Sequence, residues 1–300
     1  MVPCDAPQTI ARRLPPWMKK RAGNQLAIHH LKADLRGRRL YTVCEEARCP
    51  NLGECWSRGI ATFMILGDVC TRACRFCAIK SGRPTGLDPD EPEQTAVMVE
   101  QLGLQHVVVT SVARDDLPDE GAGQFAATIR AIQQRTPHVT IEVLVPDFHA
   151  RPDCLAIVGD AQPTILNHNL ETVRRLTPSV RSKARYDRSL QVLERFHQSY
   201  PHILTKSGIM LGLGETEEET HQALKDLRAV GCSVVTIGQY LQPTPQHHAV
   251  IEYVHPDRFA GLEVYGRSLG FLHTFSGPFV RSSYMAEHQF LRARNEQEGV

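Results

Sequence analysis

Long apolar runs are missing from this chain. No stretch approaches the roughly eighteen consecutive apolar residues that a bilayer-crossing helix needs. Met1 to Lys20 lacks the apolar core segment of a signal peptide and is broken by Pro3, Pro7, Pro15 and Pro16. Membrane and secreted classes are therefore not expected, and the chain reads as cytoplasmic with no membrane partner. An excess of charge is missing too: 34 Lys and Arg against 33 Asp and Glu leave a net charge of +1. That gives no general case for nucleic acid. Only the segment Met1 to Val43 is locally basic, with Arg12, Arg13, Lys19, Lys20, Arg21, Lys32, Arg36, Arg38 and Arg39 against Asp5 and Asp34. It reads either as a solvated face or as a docking surface for an acidic protein partner. At 300 residues and 42% hydrophobic content, the chain can bury a full core without disulfide staples.

What is present in abundance is cysteine in one place. Six of the nine cysteines fall between Cys44 and Cys77, in two triplets. Cys44, Cys49 and Cys55 have C-x(4)-C-x(5)-C spacing, and Cys70, Cys74 and Cys77 have C-x(3)-C-x(2)-C spacing. Where thiols stay reduced, such clusters read as metal-binding or catalytic. Structural zinc takes four ligands, whereas a cubane iron–sulfur cluster takes one ligand per iron. Three thiolates leave one iron with an open position; zinc completed by a remote His is the alternative. The lone Cys4, Cys154 and Cys232 read as a tail thiol or small buried hydrophobes.

Residues 9–43 read as one or two short helices, broken at Pro15–Pro16 and near Gly37. Residues 44–59 have no period and read as a loop shaped by its ligands. From Phe63 onward, strands alternate with helices. Strands are expected at 63–68, 106–112, 140–146, 164–169, 204–213 and 234–241. Helices are expected near 91–103, 122–135, 153–160, 171–176, 188–200, 217–230 and 256–269, with Thr216 placed to cap the 217–230 helix. Six near-continuously apolar strands, each followed by a helix, argue for an α/β fold with a parallel sheet. Polar residues cluster just after the strands, at Thr110–Ser111, Asp147, Asn167–Asn169, Glu215 and Gln239–Tyr240. Barrels carry their chemistry there, so a six-unit partial βα barrel is expected, although an open doubly wound sheet fits the same alternation. The expected division is an N-terminal extension over 1–59, the barrel over 60–270 and a C-terminal extension over 271–300.

The second triplet, with Phe76 just before its last cysteine and the first barrel strand just ahead of it, resembles the signature of radical S-adenosylmethionine enzymes. The resemblance implies a [4Fe–4S] cluster on Cys70, Cys74 and Cys77 whose open iron binds S-adenosylmethionine. One electron then cleaves that cosubstrate to methionine and a 5′-deoxyadenosyl radical, which takes hydrogen from unactivated carbon. It also implies that Gly208 and Gly212 let adenine approach, that Asn169 and Glu171 bind ribose hydroxyls, and that Arg185 pairs with a carboxylate. From the residues alone, Asn169 is equally a turn former, Glu171 a first-turn helix acid and Arg185 a surface charge.

The pairing of the two triplets narrows the likeness. CEEARCPNLGECW, GDVCTRACRFCAI, TSVARDDLPDEGA, HNLETV, GIMLGLGE and SGPFVRSSY, spread from about Arg39 to Tyr284, are similar to the lipoyl synthase family. That implies a second, auxiliary [4Fe–4S] cluster on Cys44, Cys49 and Cys55, with Ser283 as its fourth ligand. Serine suits iron less well than thiolate does, which gives such a cluster one weakly held corner. Arg281 and Tyr284 are placed to position the serine or the substrate chain, or are a surface Arg and a packed Tyr. The implied reaction inserts sulfur at C6 and C8 of an octanoyl group linked to a lysine of a carrier domain, with the auxiliary cluster consumed as sulfur donor. Implied partners are octanoylated 2-oxoacid dehydrogenase E2 subunits, glycine cleavage H protein, and an electron donor of ferredoxin or flavodoxin type. Two other readings stay open: biotin-synthase-like sulfur insertion into a small free substrate, and a non-catalytic two-cluster electron-transfer protein.

Overall fold

A computed structural model describes residues 14–19, 25–57 and 62–283. Cys4, Arg12, Arg13, Lys20, Arg21 and Tyr284 lie outside those residues, as do residues 9–13 of the first expected helix. Proline and glycine punctuate the N-terminal part as anticipated: a short 3-10 turn occupies Pro16–Met18, and α1 spans Gln25–Gly37. After β1 (Tyr41–Thr42) comes a difference. The first triplet does not lie wholly in an irregular loop: Cys44 is on the short helix α2 (Val43–Glu46) and Cys55 on α3 (Leu52–Ser57), with Cys49 in the turn between them. Thr42 caps α2 by accepting the Glu45 N–H at 3.3 Å. Cys44, Cys55 and Trp56 turn into the core. Segments this short carry no readable period, so burial rather than pattern decides them.

Strands and helices then alternate. β2 (Thr62–Ile65), β3 (Val69–Cys70), β4 (Lys80–Ser81), α4 (Glu91–Gln101), β5 (His106–Ser111) and α5 (Ala122–Arg135) come first. They are followed by β6 (Thr140–Leu144), α6 (Pro152–Gly159), β7 (Ile165–Asn167), α7 (Thr177–Val180) and α8 (Tyr186–Ser199). β8 (Leu204–Leu211), α9 (Glu217–Ala229), β9 (Val234–Gln239), α10 (Pro256–Ser268) and β10 (His273–Gly277) complete the order. The helix expected at 171–176 is absent. Glu171 sits at φ +67° and bridges to Ile209. Its N–H donates to the Gly208 carbonyl at 2.8 Å and its own carbonyl accepts the Met210 N–H at 2.9 Å. A residue tied to β8 in this way cannot open a helix, so α7 begins only at Thr177.

The main sheet runs β1-β2-β5-β6-β7-β8-β9-β10. β1 pairs antiparallel with β2, and every other pairing is parallel. Beyond the six expected strands, then, the sheet recruits one edge strand from before residue 60 and another from after residue 271. Ile141 and Val143 of β6, like Val235 and Ile237 of β9, pack into apolar clusters with the covering helices. Each such fully buried side chain contributes about 1.5–3 kcal/mol. The alternate residues face the other way. There Asn167 and Lys206 both donate to the Glu142 carboxylate, the three coming from neighbouring strands, so the barrel interior is polar at this level.

Candidate active site

β2 ends at Ile65, and the chain turns through Leu66 and Gly67, both at positive φ, into the second triplet. β3, which carries Cys70, pairs in parallel with β4, closing the base of the cysteine loop. The Cys70 sulfur accepts the Arg72 N–H at 3.4 Å and the Ala113 N–H at 3.3 Å, and the Cys77 N–H donates to the Cys74 carbonyl at 3.1 Å. Arg72 anchors the loop from within, pairing with Asp115 at 2.6 Å and Asp147 at 2.7 Å beyond the ends of β5 and β6. From the opposite side, His247 Nε2 meets the Cys77 carbonyl at 2.9 Å and the His248 N–H donates to the Arg75 carbonyl at 2.7 Å. Neither histidine lies in a motif that sequence reasoning singled out; the doublet after Gln246 was its only signal.

Burial pushes the Cys77 thiol up to about 12 and raises that of Cys74. A nucleophilic cysteine needs the opposite shift. A metal supplies the positive charge that ionises thiols in such surroundings, so three cysteines lining one cavity here fit an iron–sulfur cluster better than covalent catalysis.

The first triplet is built from its helices. The Cys49 N–H donates to the Cys44 carbonyl at 3.1 Å, and the Cys55 N–H to the Asn51 carbonyl at 2.9 Å. Burial, together with the neighbouring Cys49, pushes the Cys44 thiol up to about 11. The Asn51 side chain donates to the Phe279 carbonyl at 2.8 Å, joining the triplet to the C-terminal segment 228 residues on. Arg281 lies within electrostatic reach of both Cys49 and Glu171.

Both triplets reach one cavity of about 1110 Å³ at the C-terminal strand ends. Cys49, Cys70, Cys74, Cys77, Phe76, Asn169, Glu171, Gly208 and Ser283 all line it, while Cys44 and Cys55 are buried in the apolar core and do not. The Asn169 amide donates to Glu171 Oε1 at 3.1 Å. Burial raises the pKa of the Glu171 carboxyl, opposed by the Arg181 charge and the Asn169 bond.

Two expected positions, Gly212 and Arg185, lie outside the cavity lining, and a third, Gly208, lines it with the chain's own groups close against it. A Cβ on Gly208 would lie 2.8 Å from Asn169 Oδ1 and 2.9 Å from Ser282 Oγ, so the groups its bare backbone admits here belong to the chain itself. Gly212 does not line the cavity; at φ +94° it makes a turn tight against the Gln239 side chain and the Glu252 carbonyl. Arg185 is exposed at the start of α8 and also lies outside the lining, because the residue after it, Tyr186, is the one packed inward. Arg181, 8% exposed, lines the cavity instead, and its guanidinium donates to the Leu170 carbonyl at 3.0 Å and to Ser189 Oγ at 3.3 Å.

Residues 64–227 match the family model of the radical SAM superfamily, and residues 5–49 match the N-terminal domain of lipoyl synthase. The chain is 54% identical over 300 residues to a lipoyl synthase of Symbiobacterium thermophilum, covering 100% of this chain and 93% of that protein. It is 52% identical over 289 residues to a lipoyl synthase of Thermus thermophilus, covering 96% of this chain and 90% of that one. Among solved structures it resembles methylornithine synthase, with a TM-score of 0.54 at 15% identity over 81% of this chain and 74% of that one. It also resembles HydG, a maturase of the [FeFe]-hydrogenase, with a TM-score of 0.55 at 15% identity over 70% of this chain and 49% of that one. At such identities the structural likeness is one of fold, and it favours the partial barrel over the open doubly wound sheet.

Proposed function

The chain belongs to the lipoyl synthase family of radical S-adenosylmethionine enzymes, and from that premise we propose that its two cysteine triplets divide one reaction across a shared cavity. The activity is insertion of two sulfur atoms, at C6 and C8 of a protein-bound octanoyl group. Full-length identity to lipoyl synthases sets aside both the biotin-synthase-like reading and the electron-transfer reading.

Cys70, Cys74 and Cys77 are the ligands we assign to the [4Fe–4S] cluster of the superfamily. When bound there, it supplies the electron that splits S-adenosylmethionine into methionine and a hydrogen-abstracting 5′-deoxyadenosyl radical. Arg72 and the 247–248 pair hold the ligand loop from two sides. Asn169 and Glu171 orient the ribose of the cosubstrate, and Arg181 takes the carboxylate-pairing role that Arg185 is too exposed to fill. Apolar lining from Val43, Ile79, Leu144, Val145 and Pro146 suits an alkyl chain and excludes water from a reactive radical.

Cys44, Cys49 and Cys55, with Ser283, are the ligands we assign to an auxiliary [4Fe–4S] cluster that serves as the sulfur substrate and is consumed. The octanoyl carriers are lipoyl domains of 2-oxoacid dehydrogenase E2 subunits or glycine cleavage H protein, and electrons come from a ferredoxin or flavodoxin type donor. The observation that carries this reading is that Cys49 and Ser283 line the same cavity as the second triplet. The test is anaerobic turnover of an octanoyl-lysine peptide by protein grown on a heavy sulfur isotope. Product gaining two labelled sulfurs is expected; product sulfur of natural isotopic composition would refute the donor assignment.

A further inference from the structure

The residues around Ser283 are held from inside the barrel. Lys206 of β8 is 1% exposed and Glu142 of β6 is fully buried. The Lys206 ammonium donates to both Glu142 oxygens, at 3.0 and 2.9 Å, and to the carbonyl of Ser282 at 2.7 Å. Its three protons are thus accounted for. Glu142 accepts in addition from the Asn167 amide at 2.9 Å, which fixes the carboxylate in place. The chain reaches Lys206 by crossing two bare backbones. A Cβ on Gly238 would lie 2.0 Å from the Val280 carbonyl, and one on Gly208 would lie 2.9 Å from Ser282 Oγ. Residues 280–282 are therefore seated against β8 and β9, and a buried charge grips the carbonyl directly preceding Ser283.

We infer that Lys206, oriented by Glu142, is a positioning residue that fixes the C-terminal segment so that Ser283 faces the first triplet. A charge-assisted bond to a carbonyl is stronger than a neutral one, and the near-complete burial of Lys206 strengthens it further. It acts through the backbone and touches neither cluster ligand. The inference rests on the assignment of Ser283 as the fourth ligand.

Lys206→Met alone leaves Glu142 buried without its cation and can fail to fold. The informative variant is K206M/E142Q, in which the neutral amide still accepts from Asn167. Hydrogen exchange of the metal-free chain is read first. We expect residues 279–283, the Val280 amide among them, to exchange about tenfold faster or more, with β5 to β9 unchanged. After reconstitution, chelator-resistant iron falls by roughly half, the radical cluster alone being retained. Unchanged exchange at 279–283 overturns the inference, and so does faster exchange with full iron retained. Ser283→Ala separates the two ideas: it loses the auxiliary iron without quickening exchange at Val280. If Ser283→Ala keeps all its iron, the ligand assignment fails, while the exchange result still decides whether Lys206 holds the segment.

Discussion

The Ser282 hydroxyl donates to Asn169 Oδ1 at 3.0 Å, joining side chains 113 positions apart. The amide of Asn169 meanwhile holds Glu171, and the Ser282 carbonyl is held by Lys206. Asn169 is the residue assigned to the cosubstrate ribose, and Ser282 directly precedes the residue assigned to the auxiliary cluster. On those assignments the two halves of the proposed reaction share a wall, joined through the Asn169 side chain.

Arg72 is the anchor of the second triplet, and its loss should be felt as instability. It is 7% exposed and faces two carboxylates, one of which, Asp147, is fully buried. Burial alone would raise the pKa of Asp147, but the Arg72 bond and charge outweigh it and hold the group below the usual carboxylate range. Arg188 at 3.4 Å offers only partial compensation. Arg72→Met should cost about 3 kcal/mol. In thermal unfolding of the metal-free protein that is a fall of roughly 6–12 °C. A shift of less than about 2 °C would mean that the loop is held by other contacts.

His168 gives the chain a pH dependence above the carboxylate range. Burial, then the nearby Arg181 charge, lower its pKa from 6.5 to about 4, against an opposing bond to the Val145 carbonyl. A depressed histidine favours its neutral form in the fold. Its contribution is complete above pH 6.5 and is lost as pH falls towards 4. Glu142, whose burial is outweighed by Lys206 and His106 together so that it is held at about 2, loses its contribution only between 4.5 and 2. His168→Gln should therefore flatten denaturant stability between pH 6.5 and 4, by roughly 3 kcal/mol across the window, and leave the more acid limb intact. A variant as steep as the parent above pH 4 would exclude the His168 ring as the titrating group.

Thr216 and Glu219 form a full capping box at the start of α9. The Thr216 hydroxyl accepts the Glu219 N–H at 3.3 Å, and the Glu219 carboxylate accepts the Thr216 N–H at 2.9 Å. Thr216→Ala should cost about 1 kcal/mol. That is a fall of roughly 2–4 °C in the unfolding midpoint, with iron content unaffected. An unchanged midpoint would show that tertiary packing alone sets this end of the helix.

The barrel was legible because its strands are buried on both faces and its helices carry end signals such as Thr216. Cys154 and Cys232 were legible as small buried hydrophobes for the same reason, and both are fully buried. The departures have physical causes that local pattern cannot express. From the residues alone Glu171 is equally a ribose ligand or a first-turn helix acid, and backbone pairing with Ile209 removes the helix. Arg181 and Arg185 look alike in sequence, and only the path of the connection between α7 and α8 decides which one is buried. Lys206 reads as an ordinary charge interrupting a strand; its partners lie 64 residues before it and 76 after it. Ser283 came into view only through resemblance to a family, since a serine carries no spacing rule of its own.

Gly238 offers the most selective perturbation of the C-terminal segment. It lies within β9, and no positive φ demands a glycine there. β9 itself therefore accepts alanine. What does not accept it is the Val280 carbonyl, 2.0 Å from the new Cβ. Backbone on both sides leaves no flexible side chain to give way, so residues 280–283 must lift from the sheet. The cost to folding should be about 1–3 kcal/mol, as for other overpacked contacts. Lifting the segment also lengthens the Lys206 bond to Ser282 and withdraws Ser283 from the cavity wall. Gly238→Ala should thus keep the spectroscopic signature of the radical cluster after reconstitution and lose iron from the auxiliary site to a chelator. Its product per chain should fall in proportion to that iron. A Gly238→Ala protein with parental iron retention and parental exchange at Val280 would mean that the segment is not seated on β9, and that another contact aims Ser283.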